Sequence, residues 1–354
     1  MNNPNLAIDT GAVTGFLVGL LNIPSPTGCT DEAIAYVQDA LQSATVPNLS
    51  VSLTPKGALL AQFKGTQNQL PRAVTAHVDT LGLMVKEIKP NGRLKLTQLG
   101  SFFWNAIEFE GVTVQTRANK RYRGTVVPVN ASYHVNRTLG EIERTENVLE
   151  LRLDECVQSS EETQTLGISV GDFVFLDPRV EIGDAGFIRS RHLDDKAGVA
   201  AIYGAILALR QAGLQPAQDT TFLITNYEEV GHGVTHLSPD LDELLVVDMG
   251  AVGDGQASDE FSVSVCTKDA SGPYDQRMTT RLRQQAEESQ IPCRADIYPY
   301  YSSDGSMYWK AGGRARVGLI GPGVDASHGY ERTHKDSIAH TAKLIACYLL
   351  GDAT

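Results

Sequence analysis

Paired cysteines are missing from this chain. The five that occur, Cys29, Cys156, Cys266, Cys293 and Cys347, are odd in number, widely spaced and include no Cys-x-x-Cys. That pattern excludes a disulfide framework and a thiolate zinc site, and fits reduced thiols in a cytosolic protein. Basic residues are also few: 30 Lys and Arg face 42 Asp and Glu, a formal net charge of −12. Such a surface repels phosphate backbones and anionic lipid, which argues against nucleic acid or a membrane surface as partner. No apolar run is long enough to span a bilayer, since the longest, Gly11 to Ile23, is interrupted by Thr14. A secretory signal needs a basic segment ahead of its apolar stretch, yet the first Lys or Arg is Lys56. The stretch reads instead as an amphipathic helix opened by Asp9 or Thr10, with Val13, Phe16, Leu17, Leu20 and Leu21 on one face. Glycine (33) and proline (15) are too sparse for a low-complexity or fibrous chain.

What is present is enough for a large core. A length of 354 residues implies two domains, or one α/β domain carrying an insertion. A second helix is predicted from Thr30 to Ala44, and a short apolar run, Val74 to His77, follows. From 90 to 187 the texture changes to short alternating runs, such as Val112 and Val114 or Phe173 and Phe175, separated by Gly, Asn and Asp. These spell a small β-rich module. Helical period returns at Leu193, with Val199, Ile202, Ile206 and Leu209 on one side. Buried-type strands are then predicted at Phe222–Thr225, Leu244–Val247 and Val317–Ile320, and a last helix from about Asp336 to Leu350. The expectation is an α/β fold, a mixed and mostly parallel sheet flanked by helices. Residues 1–89 and 188–354 form its main domain, and 90–187 a β-rich insertion.

Chemistry collects at the strand ends. Val74-Thr-Ala-His77-Val-Asp79 ends in an imidazole and a carboxylate, Phe222 to Thr225 is followed by Glu228-Glu229, and Leu244 to Val247 by Asp248. Open α/β sheets bind ligands at the carboxyl ends of their strands, so these groups would converge in one crevice. Converging carboxylates repel one another and lose water, and a divalent cation removes both costs. A mixture of imidazole and carboxylate suits Zn²⁺, Co²⁺ or Mn²⁺ better than Ca²⁺. Each signal alone has a plainer meaning: His-x-Asp as a loop hydrogen bond, Glu228-Glu229 as a solvated pair, Asp194-Asp195 as the acidic first turn of a helix. Their alignment is what points to metal.

Taken in order, Ser25-Pro-Thr-Gly28, His77-Val-Asp79, Leu193-Asp194-Asp195-Lys196-Ala-Gly198, Glu228-Glu229-Val-Gly231, Val247-Asp248 and Thr333-His334 resemble metallopeptidase family 42. These are dinuclear glutamyl and deblocking aminopeptidases that assemble tetrahedral twelve-subunit shells, and the resemblance covers nearly the whole chain. It implies a zinc aminopeptidase-like fold whose β insertion mediates dimer contacts, a small peptide substrate and a homo-oligomer, a dimer or a dodecamer. It implies two divalent ions per subunit, Zn²⁺ first. Asp194 would bridge them, His77 and Asp248 would complete one site, and Glu229 and His334 the other. Glu228 would be the general base acting on water held between the ions, and Asp79 would orient His77 through its other ring nitrogen. The Asp194–Asp195 peptide is commonly cis in such proteins. His328, six residues before His334, is an alternative ligand that spacing alone does not separate from it; the resemblance favours His334. His328 and Asp304, in a Ser-Ser-Asp-Gly turn, are also candidate substrate contacts, the latter with a turn-forming Asp as its plainer meaning.

The chain departs from the usual family pattern at Thr80, Lys196 and the Lys-Asp after His334. The stretches Arg189 to Lys196, Tyr300 to Asp304 and Val324 to His334 resemble a subgroup linked to the osmolyte N-acetylglutaminylglutamine amide. The alternatives are therefore a narrow amidohydrolase for an N-acylated dipeptide amide, or a non-catalytic shell or binding protein.

Overall fold

The computed structural model describes residues 6–234 and 237–351. The first helix, Thr10–Leu21, starts where Asp9 accepts the Ala12 N–H at 2.9 Å, and it buries Val13, Phe16, Leu17, Leu20 and Leu21, the face read from the sequence. It packs on the long helix Leu193–Ala212 so closely that a Cβ on Gly204 would lie 2.6 Å from Val13 Cγ2, a contact only glycine permits. Lys196, fully buried in that long helix, donates its ammonium to the carbonyls of Leu20 (3.0 Å) and Ile23 (2.7 Å). It thus ties the end of the first helix to the long helix, and burial pulls its pKa down to about 7.

The core of the sheet is a run of four parallel strands in the order Gln218–Thr225, Gln67–His77, Glu243–Val247 and Arg316–Asp325. Helices Leu193–Ala212 and Lys335–Leu350 pack against each other and against these strands. With further strands of mixed direction the sheet reaches thirteen strands among the described residues. No helix among them is long and apolar enough to cross a membrane, and all five cysteines are free.

A closed barrel of six strands interrupts this sheet. Its strands run from Gly82–Ile88 to Phe173–Leu176, around a core that includes Leu83, Val85, Leu96, Val112, Val126, Leu151 and Val174. The boundaries therefore differ from the expected 90 and 187. Gly82–Ile88, read as part of the main domain, pairs with Leu94–Leu99 inside the barrel, whereas Glu181–Ile182 and Phe187–Ser190 join the main sheet beside Glu331–His334. Ser25-Pro26-Thr27 straps the crossing point, because Ser25 Oγ donates to the Val78 carbonyl at 2.7 Å and Pro26 bridges to Thr80.

Candidate active site

Three adjacent parallel strands deliver their acids to one end of the sheet. His77 is the last residue of its strand, Glu228 and Glu229 open a short turn three residues after Thr225, and Asp248 follows Val247 directly. Glu243, at the opposite end of the Asp248 strand, shows what the site lacks. Burial pushes the Glu243 carboxyl up, but Arg281 at 2.5 Å and Arg72 at 3.3 Å outweigh it and hold the group low. Asp248 has no such cation, and burial together with the Asp194 charge pushes it up to about 7. The His77 ring and the Met249 N–H, which Asp248 Oδ1 accepts at 2.7 Å, pull the other way without offsetting this.

His77 is fixed from behind. Its Nδ1–H donates to the Asp79 carbonyl at 2.9 Å, and its main-chain N–H to Asp195 Oδ2 at 3.3 Å. Nε2 then faces the cluster, 3.2 Å from Asp194 Oδ1 and 3.8 Å from Glu228 Oε2. The Asp79 carboxylate, expected to orient the ring, stands farther off at 3.6 Å from Nδ1. It accepts instead from Thr27 Oγ1 (2.6 Å) and from the main-chain N–H groups of Glu228 (3.1 Å) and Glu229 (3.3 Å). Asp79 therefore holds the ring through its backbone and the glutamate turn through its side chain.

Asp194 lies at the kinked start of the long helix, and its peptide bond to Asp195 is cis, as the resemblance implied. Its second oxygen, Oδ2, is 3.4 Å from His328 Nε2, and that same nitrogen is 3.8 Å from Glu229 Oε2. One carboxylate thus stands between two imidazoles. His328 sits in a turn with φ of 63°, and its Nδ1–H donates to the carbonyl of Ser101, on the barrel segment, at 2.6 Å. Behind both, buried Glu331 accepts the main-chain N–H of Asp194 at 3.1 Å and of His328 at 3.0 Å. Glu331 lies inside the Val324 to His334 stretch but was given no role there, because its carboxylate acts on main-chain N–H groups.

Two expectations are corrected by placement. His334 does not reach the cluster: its Nε2–H donates to the Ala185 carbonyl at 2.7 Å, and its Nδ1 accepts the Asp336 N–H at 3.2 Å. Both ring nitrogens are thus engaged, the ring packs on Phe187 and Phe261, and the residue caps the last helix. The strand Glu331–His334 carries it past the site that the preceding turn keeps for His328. Asp304 is likewise turned away from the cleft. It begins a helix capped by Ser303, and its carboxylate accepts from Thr225 Oγ1 (2.6 Å) and the Val234 N–H (2.8 Å). His232 stacks on Tyr227 and meets Lys56 at 3.0 Å, outside the cleft lining.

The electrostatics call for a cation. Burial and neighbouring charge push Glu229 and Glu331 up to about 8, and burial raises Glu228 well above the carboxylate range. Asp194 alone is held below that range, since hydrogen bonds from His328 and His77 outweigh its burial. Glu229 Oε1 is buried and has no hydrogen-bond partner. Two groupings have ligand atoms close enough to share an ion: His77 with Asp194 and Glu229, and His77 with Asp195 and Asp248. An orphaned carboxylate oxygen, converging acids and two ring nitrogens form a donor set that fits a divalent metal. Asp194, Glu228, Glu229, Asp248 and His328 all open onto one cleft of about 770 Å³.

Residues 57–344 match the family model described as M42 glutamyl aminopeptidase. The Bacillus subtilis (strain 168) protein YhfE, which carries an aminopeptidase name, is 49% identical over 331 residues, covering 93% of this chain and 95% of that one. Among solved structures, aminopeptidase APDkam598 from the archaeon Desulfurococcus kamchatkensis superposes with a TM-score of 0.85 at 20% identity, covering 97% of this chain and 96% of that one. The Pyrococcus horikoshii TET1 peptidase, described as assembling into a tetrahedron or a large octahedral shell, superposes with a TM-score of 0.81 at 18% identity, covering 96% and 99%. At these identities the two structures show the shared fold.

Proposed function

Because this chain belongs to the M42 peptidase family, we propose that it is a metal-dependent aminopeptidase that removes N-terminal residues from small peptides. The observation that carries the metal reading is the Asp194 carboxylate, with one oxygen 3.2 Å from His77 and the other 3.4 Å from His328. Two ions would be held by His77, Asp194 and Asp248 on one side and by Asp194, Glu229 and His328 on the other, with Zn²⁺ first and Co²⁺ or Mn²⁺ as substitutes. Bound there, such ions supply Lewis acidity that polarises a carbonyl and lowers the pKa of water. Glu228, on the cleft wall beside His77, is the base that takes the proton of the attacking water and returns it to the leaving amine. A carboxylate placed there can take a proton from water and give it up again, the role of a general base. Asp79 and Glu331 keep the glutamate turn, Asp194 and His328 in position through main-chain N–H groups.

The barrel is proposed as the assembly surface of a homo-oligomer. Its exposed apolar residues, Phe109, Tyr133, Val135 and Ile142 among them, support that reading, as does the shell of the similar P. horikoshii peptidase. The test is one preparation, metal-loaded and sized by light scattering, given matched dipeptides with free and with acetylated N-termini. Hydrolysis of the free-amine set by a species well above one 354-residue subunit is expected. Hydrolysis of the N-acetylated dipeptide amides alone would replace this reading with the narrow amidohydrolase.

A further inference from the structure

We propose that the cleft selects a neutral apolar or aromatic side chain on the residue being removed and rejects an acidic one. This rests on the aminopeptidase reading and departs from the glutamyl specificity in the family's description. Away from the acidic cluster the cleft wall is Phe102, Met249, Tyr298 and Tyr301, with Phe103 and Tyr300 exposed at its rim, and its remaining polar side chains, such as Gln256 and Ser302, are uncharged. No Lys or Arg lines it among the described residues. Cations on neighbouring segments are committed elsewhere. Arg191 donates to the carbonyls of Ala106 and Gly329 and pairs with Glu110, Lys196 serves the first helix, and Lys56 lies over the Tyr227 ring and meets His232.

A glutamyl side chain entering this wall would lose water and find no guanidinium or ammonium to replace it. It would also approach acids whose charge the ions are already needed to offset. An unpaired charge is far costlier to bury than a methylene is rewarding. An apolar side chain of similar length gains the ordinary transfer energy, worth roughly 10- to 100-fold in kcat/KM for a leucine- or phenylalanine-sized group. The pattern is specific because recognition of a side-chain carboxylate calls for a fixed cation, by preference arginine.

The experiment has two arms on the metal-loaded, assembled protein. The first compares kcat/KM for Phe, Leu, Gln and Glu chromogenic amides at one pH. A preference for Phe over Glu of about 10-fold or more is expected, and any smaller ratio, or one favouring Glu, overturns the proposal. The second measures binding of free phenylalanine and free glutamate by calorimetry, which reads the wall without turnover. Tighter glutamate would also overturn it. If no free-amine substrate is cleaved but phenylalanine still binds better, the aminopeptidase reading falls and the side-chain assignment stands. If free-amine substrates are cleaved with Glu preferred, the reverse holds. Ser302→Arg, at an exposed point of the wall, should narrow the Phe-to-Glu ratio about 10-fold by supplying the missing cation. An unchanged ratio would mean this wall does not hold the side chain.

Discussion

Replacing Glu228 with Gln should leave the metals bound while turnover falls by about 10² to 10⁴, the usual worth of a general base. Gln preserves the shape and the main-chain N–H that Asp79 Oδ1 accepts at 3.1 Å, so the turn should survive. Glu229→Gln is expected to behave differently. Its Oε1 is buried without a partner and its Oε2 faces His328 at 3.8 Å, so losing the charge should empty one ion site and take activity with it. Metal content and turnover measured on both variants under one set of conditions separate the roles. Loss of metal in Glu228→Gln with retention in Glu229→Gln would reverse them.

The second large effect is expected at His328 rather than His334. His328→Ala removes the nitrogen nearest the outer oxygen of Asp194, and one ion and most of the activity should go with it. Loss of a partner that merely orients a ligand typically costs about 10- to 100-fold in metal affinity, and loss of a ligand should cost at least that. His334→Ala should keep both ions. It removes a helix cap and an aromatic contact, so the expected cost is stability, about 0.5–2 kcal/mol for the cap. Thermal melts and metal counts on the two variants distinguish these outcomes, and an emptied site in His334→Ala alone would restore the assignment implied by the family resemblance.

These two histidines mark where the sequence stops being informative. His77, Glu228, Glu229 and Asp248 could be found because each lies at or just beyond the end of a short apolar strand, and parallel strands end on the same edge of a sheet. Asp194 sits on a helix start, where an acidic residue has an ordinary explanation, so only its motif marked it out. His328 and His334 lie six residues apart across a turn, and which one faces inward depends on a left-handed φ at a non-glycine residue that no residue type announces. Glu331 was invisible because its carboxylate serves main-chain N–H groups, which every residue but proline has. Asp304 looked available in a Ser-Ser-Asp-Gly turn, but that turn is the buried start of a helix. The barrel edge escaped as well, since an apolar run such as Leu81 to Ile88 fits a main-sheet strand as well as a barrel strand.

The ion count decides most directly whether a two-ion hydrolytic centre lies at the strand ends. Chelated protein titrated with Zn²⁺, Co²⁺ or Mn²⁺, with bound ions and dipeptide hydrolysis followed in the same sample, should be inactive without metal and reach full turnover as occupancy approaches two ions per subunit. Full turnover with no transition metal bound, or a plateau at one ion, would contradict it.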